Sequence, residues 1–243
     1  MPISSREFIA ARSTLIGSVP QARRGYVCGT CLGPVPGYPQ CLGCRRLFFT
    51  APVSLQTRIV PMSTVKNPSE WYGALVNYKN GNVRAHTLLA ALIATYMSEH
   101  AKHIEGMLGG ELTGLAVVPS TRGRQFDVQP LARAIKRVIG LGDQLVNALS
   151  HVPGTTIARQ EYKPSLFRVA PDLVRGGRLV LVEDLWVSGA RAVSGAGALL
   201  AAGAQSVVIL PIAREFRAPS DFCPDEYVAD ASAPYDIGHW PRS

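Results

Sequence analysis

The sequence predicts an α/β protein built on a parallel sheet, with a small metal-binding segment near the N-terminus. Two observations support this prediction. Short continuous apolar runs such as residues 179–182 precede amphipathic helices, which is typical of strands buried on both faces of a parallel sheet. Earlier in the chain, residues 28–44 contain two C-x2-C pairs, a spacing typical of zinc sites. We therefore expect an N-terminal segment over residues 1–50 and an α/β domain over residues 51–243.

Composition and charge restrict the possible functions. The chain has 243 residues and carries 25 Lys and Arg against 17 Asp and Glu, a net charge of +8. This balance favours an anionic partner, either nucleic acid or a ligand with several phosphates, although a solvated basic surface without a partner gives the same count. No apolar stretch approaches the roughly 20 residues that span a bilayer. Arg6, Glu7 and Arg12 interrupt any signal-type apolar core, so we expect a cytoplasmic protein without a membrane span.

Four cysteines predict a structural zinc site, and they are Cys28, Cys31, Cys41 and Cys44. Each C-x2-C pair presents two thiolates on one tight turn, and Zn²⁺ prefers four tetrahedral thiolates. Because so short a segment cannot bury a core of its own, the metal would supply its folding free energy. Disulfides are the alternative, but thiols stay reduced in the cytosol. The fifth cysteine, Cys223, has no partner in the pattern and is expected to be a plain thiol.

The elements before the central strand follow from periodicity and end signals. Ser4, Ser5 and Glu7 predict the start of a short helix. Residues 52–66 are a strand candidate, and residues 83–106 have the apolar period of one long helix.

A second strand–loop–helix unit covers residues 115–139. The apolar run 115–118 predicts a buried strand, and residues 128–139 predict an amphipathic helix. The loop between them contains small residues and charge, and its backbone N–H groups could cradle a pyrophosphate. A plain connecting loop is the alternative. The candidate binding residues are Ser120, Thr121, Arg122 and Gly123.

Weaker signals cover the rest of the chain. Residues 146–151 are a third strand candidate, and residues 153–177 are predicted to form a long loop. Residues 206–212 predict the last strand, and the tail from Ala218 has no periodicity.

The central strand carries the strongest signal for a ligand site. It ends in two adjacent acids, Glu183 and Asp184, and a short turn with Ser188 and Gly189 leads into the helix 190–202. Ligands of open α/β sheets bind outside the carboxyl ends of the strands, and a helix N-terminus attracts phosphate. Carboxylates accept hydrogen bonds from sugar hydroxyls or bind Mg²⁺. One loop could therefore hold a sugar and its phosphate, while a polar rim without a ligand is the plainer interpretation.

This stretch resembles the phosphoribosyl pyrophosphate loop of type I phosphoribosyltransferases. That family usually has Asp-Asp followed by Thr-Thr-Gly-x-Thr, where this chain has Glu183-Asp184 and then Val187-Ser188-Gly189-Ala190-Arg191. Two hydroxyls of the family loop are therefore missing. Arg191 replaces the last of them, and its guanidinium could bind phosphate bidentately or fill the pocket.

The wider order of motifs, over residues 26–213, resembles the ComF-type family, phosphoribosyltransferase-like proteins linked to DNA uptake. The matching motifs are the four-cysteine ribbon, Tyr78-Lys79-Asn80-Gly81, Val118-Pro119, Arg122-Gly123, Glu183-Asp184 and Gly203-Ala204. The resemblance implies a doubly wound, type I phosphoribosyltransferase-like parallel sheet with a hood over the pocket. It also implies phosphoribosyl pyrophosphate with Mg²⁺ as the ligand.

The resemblance also implies roles for the site residues. Glu183 and Asp184 would hold the ribose, and residues 120–123 would face the pyrophosphate. The 5′-phosphate would bind the loop formed by Leu185, Trp186, Val187, Ser188 and Gly189. Catalysis would then consist of positioning and charge stabilisation. Two other hypotheses stay open: a non-catalytic factor that binds single-stranded DNA through the zinc ribbon and basic surface, and a sensor that binds the sugar phosphate without chemistry.

Overall fold

A parallel four-stranded sheet forms the centre of the computed structural model, which describes residues 4–22, 24–120, 129–138, 140–220 and 222–242. Within these residues six strands are present: β1 (Ser63–Lys66), β2 (Gly114–Val117), β3 (Leu149–His151), β4 (Phe167–Val169), β5 (Arg178–Trp186) and β6 (Ser206–Phe216). The order in the sheet is β1-β6-β5-β2, and every pairing is parallel. The α/β class with a parallel sheet, predicted from the apolar runs, is confirmed.

Helices cover both faces of this sheet. The described residues contain α1 (Ser5–Ala10), α2 (Leu42–Leu47), α3 (Glu70–Asn77), α4 (Val83–Glu99), α5 (Ala101–Leu108), α6 (Pro130–Lys136), α7 (Ala190–Ala201) and α8 (Asp225–Ala231). In β5, Val180 and Val182 pack in the cluster that contains α4 and α6, whereas Leu179 and Leu181 pack in the cluster that contains α7. Because both faces are covered, the strand is apolar at successive positions.

The cysteine segment packs directly on the second of these clusters. Cys28, Cys31 and Cys44 are buried together with Leu47 of α2 and the α7-facing side chains of the sheet. The segment is therefore in contact with the layer that carries α7.

Several boundaries differ from those predicted. The strand candidate 52–66 begins with a 3₁₀ turn, Val53–Arg58, and only its end forms β1. The predicted long helix is divided at His100, whose φ and ψ of −108° and 16° are not helical, into α4 and α5. The predicted loop 153–177 contains β4, which pairs with β3 in a separate antiparallel sheet.

The C-terminal tail is more ordered than its composition indicated. It contains α8, and beyond it Arg242 donates hydrogen bonds to the carbonyls of Gly29, Thr30 and Ile59. Arg242 thus connects the cysteine segment, at Gly29 and Thr30, to Ile59. Among the described residues, no helix is both long enough and apolar enough to cross a bilayer.

Candidate metal centre and candidate ligand site

The four cysteines of the two C-x2-C pairs meet in one cluster. Their sulfur atoms all lie within 4.8 Å of one another, and Cys31 Sγ is 3.8 Å from Cys41 Sγ. Sulfurs about 2.3 Å from a tetrahedral zinc ion would be about 3.8 Å apart. All four are free thiols rather than disulfides. The donor set therefore fits a structural metal such as zinc.

Backbone N–H groups stabilise the sulfur atoms of this cluster. Cys41 N–H donates to Cys28 Sγ at 3.3 Å, and Cys44 N–H donates to Cys41 Sγ at 3.4 Å. The second bond also caps the start of α2, so the helix and the cluster form together. N–H donors of this kind offset the negative charge of thiolates.

Arg214 connects the cysteine cluster to the end of β5. Its Nε donates to Cys31 Sγ at 3.4 Å, and its Nη1 donates to the Trp186 carbonyl at 3.2 Å. Burial acts to lower the pKa of Arg214, but Cys31, Tyr227 and Cys41 together raise that pKa above its ordinary value. The guanidinium therefore stays charged and balances part of the thiolate charge.

The two acids lie inside β5, which was expected to end at them but continues to Trp186. Asp184 is 8% exposed, and its Oδ2 accepts hydrogen bonds from Tyr78 Oη at 2.6 Å and Lys79 Nζ at 2.5 Å. Burial would raise the pKa of Asp184, but Lys79 and then Tyr78 lower it by a larger amount, and the net shift is downward. Asp184 is therefore ionised at neutral pH.

Glu183 has a different environment. It is 3% exposed, and its Oε1 accepts from Arg191 Nη2 at 3.2 Å. Its Oε2 is buried and has no hydrogen-bond partner within the described parts of the chain. Burial raises the pKa of Glu183 to about 7, although Arg191 acts in the opposite direction. Two adjacent carboxyls thus differ in charge near neutral pH.

Both acids line a small cavity of about 150 Å³ at the carboxyl end of the sheet. Ser120 and Arg191 also line it, as do Tyr78, Lys79, Val118, Pro119, Gln129, Pro130 and Leu131. Arg191 lies in the first turn of α7 with 32% of its side chain exposed, and pairs with Glu183 in the cavity wall.

The turn before α7 requires glycine at position 189. Gly189 has φ 76°, a left-handed conformation that L side chains rarely adopt. A Cβ there would lie 2.1 Å from Cζ2 of Trp186. Glycine at this position, from which the sequence predicts a tight turn between strand and helix, is therefore required for a steric reason.

The structure distributes the predicted loop residues over two cavities. Trp186, Val187 and Ser188 line a second cavity of about 710 Å³, whose other wall includes the cysteine segment. Leu185 packs on the cluster that contains α4. Thr121, Arg122 and Gly123 lie outside the described residues. The structure therefore brings together Glu183, Asp184, Arg191 and Ser120, and separates them from the loop residues 186–188.

Sequence reasoning assigned no role to Tyr78, Lys79 and Gln129, which line the first cavity. In the sequence, Tyr78 and Lys79 stand out only as a family motif, because 106 residues separate Tyr78 from Asp184. A lysine next to a tyrosine at the end of an amphipathic helix was the available signal.

No family model, no curated protein and no solved structure matches this chain. The fold and the sites therefore define its class: a mixed α/β protein with a parallel four-stranded sheet and a four-cysteine cluster that could hold zinc.

Proposed function

We propose that this chain is a phosphoribosyltransferase-like protein of ComF type, which binds phosphoribosyl pyrophosphate or a related nucleotide-type ligand in the cavity at the end of β5. The observation that carries the proposal is the buried Oε2 of Glu183, which has no hydrogen-bond partner among the described residues and belongs to a residue in the cavity wall. A buried acceptor without a partner costs free energy unless a ligand satisfies it. A sugar hydroxyl is a donor of suitable chemistry for it.

The neighbouring groups suit a sugar that carries phosphate. Asp184 is held in its ionised form by Lys79 and Tyr78, so it keeps acceptor capacity for a second hydroxyl. Arg191 supplies positive charge at the N-terminus of α7, where the helix dipole also favours an anion. One wall of the cavity therefore accepts hydroxyl protons while another attracts phosphate.

A transfer reaction at this site would break the bond between C1 of the ribose and the pyrophosphate oxygen. The acceptor's lone pair would form the new bond to C1, and pyrophosphate would leave with the bonding electrons. The contribution of Glu183 and Asp184 would be to position the ribose and stabilise the positive charge that develops at its ring.

Calorimetry with phosphoribosyl pyrophosphate and with ribose 5-phosphate tests the binding proposal. We expect saturable binding to the wild type and at least tenfold weaker binding to Glu183→Gln and Asp184→Asn, a loss of about 1.4 kcal/mol or more. Glu215→Gln is the matched control, because Glu215 is a similarly buried carboxylate, 7% exposed, on the neighbouring strand β6. Absence of binding, or unchanged binding in both site variants, would remove the proposal.

Pyrophosphate release separates an enzyme from a sensor. A screen of purine and pyrimidine bases as acceptors, with phosphoribosyl pyrophosphate present, would detect transfer as released pyrophosphate. Binding without release for any base would assign the sensor function to the same cavity.

The second cavity favours a second candidate, a single-stranded DNA-binding function. Tyr38 and Phe222 line it with 61% and 72% of their surface exposed, and Arg45, Arg159 and Arg217 line it too. Exposed rings on which bases stack, next to cationic side chains, are the elements of single-strand binding.

Fluorescence anisotropy with a labelled oligothymidylate tests this candidate. We expect binding that weakens steeply with salt, and an affinity loss of about 1–3 kcal/mol in Tyr38→Ala or Phe222→Ala. Binding at low salt that is the same in both variants would contradict a role for this cavity.

A further inference from the structure

We propose that the cavity at the end of β5 binds its phosphorylated sugar without Mg²⁺, because Lys79 and Arg191 supply the two positive charges that a divalent cation would bring. This inference rests on the proposed function. It departs from the Mg²⁺ requirement that the family resemblance implies.

Each acid of the site already forms an ion pair with a cationic side chain of the same chain. Lys79 Nζ is 2.5 Å from Asp184 Oδ2, and Arg191 Nη2 is 3.2 Å from Glu183 Oε1. The hydroxyl of Tyr78 also donates to Asp184 Oδ2. Among the described residues of the site, the two cations at least balance the charge of the two acids, so these residues carry no excess negative charge to attract a divalent cation.

The geometry of the donors also disagrees with a magnesium site. Mg²⁺ requires near-octahedral oxygen ligands at about 2.0–2.1 Å. Asp184 Oδ2 already accepts from Tyr78 and Lys79, and Glu183 Oε1 accepts from Arg191, so a metal ion at either atom would have to displace one of these donors. The acceptor that remains, Glu183 Oε2, is the one assigned above to a sugar hydroxyl. A metal ion bound there would also lie next to two positive side chains, which repel it.

Both cations keep donors for the ligand. An ammonium has three N–H donors and a guanidinium has five, whereas the ion pairs with the acids use one atom of each. Lys79 and Arg191 are 43% and 32% exposed and line the same cavity, so their remaining donors can reach a phosphate inside it. Arginine at 191 is this chain's own departure from the threonine of the resembling loop.

The test is calorimetry with phosphoribosyl pyrophosphate, the ligand for which the resemblance implies Mg²⁺, and the zinc-loaded chain. The buffer is freed of divalent cations by an ion-exchange resin, because a soluble chelator would also remove zinc from the cysteine cluster. We expect a dissociation constant that changes by less than about tenfold when MgCl₂ is added in excess over the sugar.

Charge-removing variants show which groups replace the metal. Without Mg²⁺, Lys79→Met and Arg191→Met should each weaken binding about 10-fold to 100-fold, since each removes a charge-assisted hydrogen bond to phosphate. Lys79→Arg and Arg191→Lys, which keep the charge, should retain most of the affinity. Lys102→Met and Arg175→Met remove exposed cations elsewhere and should bind like the wild type. Far-UV circular dichroism and zinc content confirm that each variant is folded.

The outcomes separate the inference from the proposed function. Binding that needs Mg²⁺, or that Mg²⁺ tightens by about tenfold or more, overturns the inference and leaves the sugar-phosphate site in place. Mg²⁺-free binding that is unchanged in both methionine variants also overturns the inference. Absence of binding with and without Mg²⁺ overturns both.

Discussion

The cysteine cluster and the acidic cavity both bring several ionisable side chains together, but they are assembled in different ways. The cysteine cluster takes all its donors from residues 28–44, and its spacing is legible in the sequence. Among the described residues, the acidic cavity takes its walls from five separate segments, around residues 78, 119, 130, 184 and 191. The cluster brings together four thiols that would bind a metal as thiolates, whereas the cavity contains its own cations in Lys79 and Arg191.

This difference indicates how the charge of each site is neutralised, and therefore how each site is stabilised. Thiolates brought together need an external cation, so the cluster and its metal should fold as one unit. The cavity is neutralised from within, so it can form before any ligand arrives. The following predictions test that contrast, beginning with the largest expected effect.

Loss of one cysteine ligand should have the largest effect. Cys31→Ser should remove the bound zinc and lower the free energy of unfolding by several kcal/mol, about 3–5, because the remaining thiolates and Arg214 lose their counter-charge in a buried setting. Urea denaturation and metal analysis of the purified chain check this. Cys223→Ser, a buried cysteine outside the cluster, should keep its zinc. A wild-type chain that is equally stable with and without metal would contradict the contrast.

Glu183 should make stability depend on pH. Its pKa is raised from 4.5 to about 7, so the contribution of Glu183 to stability is fully present below pH 4.5 and is lost as pH rises through 7. The loss is on the order of 3 kcal/mol, relative to Glu183→Gln measured at each pH by urea denaturation.

An exposed carboxyl provides the control for that curve. The pKa of Glu7 is lowered by hydrogen bonds from the Ser4 backbone and side chain, so its contribution should be lost as pH falls. Glu7→Gln should therefore show the opposite pH trend. A wild type and Glu183→Gln that differ equally at pH 5 and pH 8 would contradict the assignment.

The turn between the two sites should tolerate no side chain. Gly189→Ala places a Cβ against the Trp186 ring in a left-handed conformation, and should cost about 2–3 kcal/mol of unfolding free energy. Gly81→Ala has a similar φ of 85° with nothing within 4 Å of the new Cβ, so it should cost only about 1 kcal/mol. Equal losses in the two variants would show that the ring contact is unimportant.

The hydroxyl of Tyr78 should contribute the least. Tyr78→Phe removes one hydrogen bond to an ionised carboxylate but leaves Lys79 in place, so the expected loss is about 1.5 kcal/mol at neutral pH. Tyr38→Phe, at a ring that is 61% exposed, should change stability by less than about 0.5 kcal/mol. Thermal and urea denaturation measure both. No loss in Tyr78→Phe would mean that Lys79 alone satisfies Asp184.

Features encoded locally were predictable from the sequence. The metal-ligand spacing, the apolar run of β5 and the glycine before α7 each involve neighbours in the chain, and all three are present. The division into domains at residue 50, the binding roles and the transferase activity stay predictions.

Features that depend on distant contacts could not be predicted in the same way. β5 continues through Glu183 and Asp184 because Arg191 and Lys79 compensate the acids within the sheet, and polar residues alone had indicated the end of the strand. Similarly, β4 depends on pairing with β3, and α8 depends on burial of Tyr227. These elements are stabilised by contacts with residues that are distant in the sequence, so the local sequence pattern does not predict them.

The hydrogen bond from Arg242 to the Gly29 carbonyl spans 213 residues. At ribosomal rates of about 5–20 residues per second, the cysteine segment is synthesised on the order of 10 to 40 seconds before that guanidinium exists. During this interval the Gly29 and Thr30 carbonyls lack their Arg242 donor, so a metal bound to the four cysteines would be the main source of stability for the segment. Metal supply during translation, more than the stability of the finished protein, should therefore control the yield of correctly folded chains.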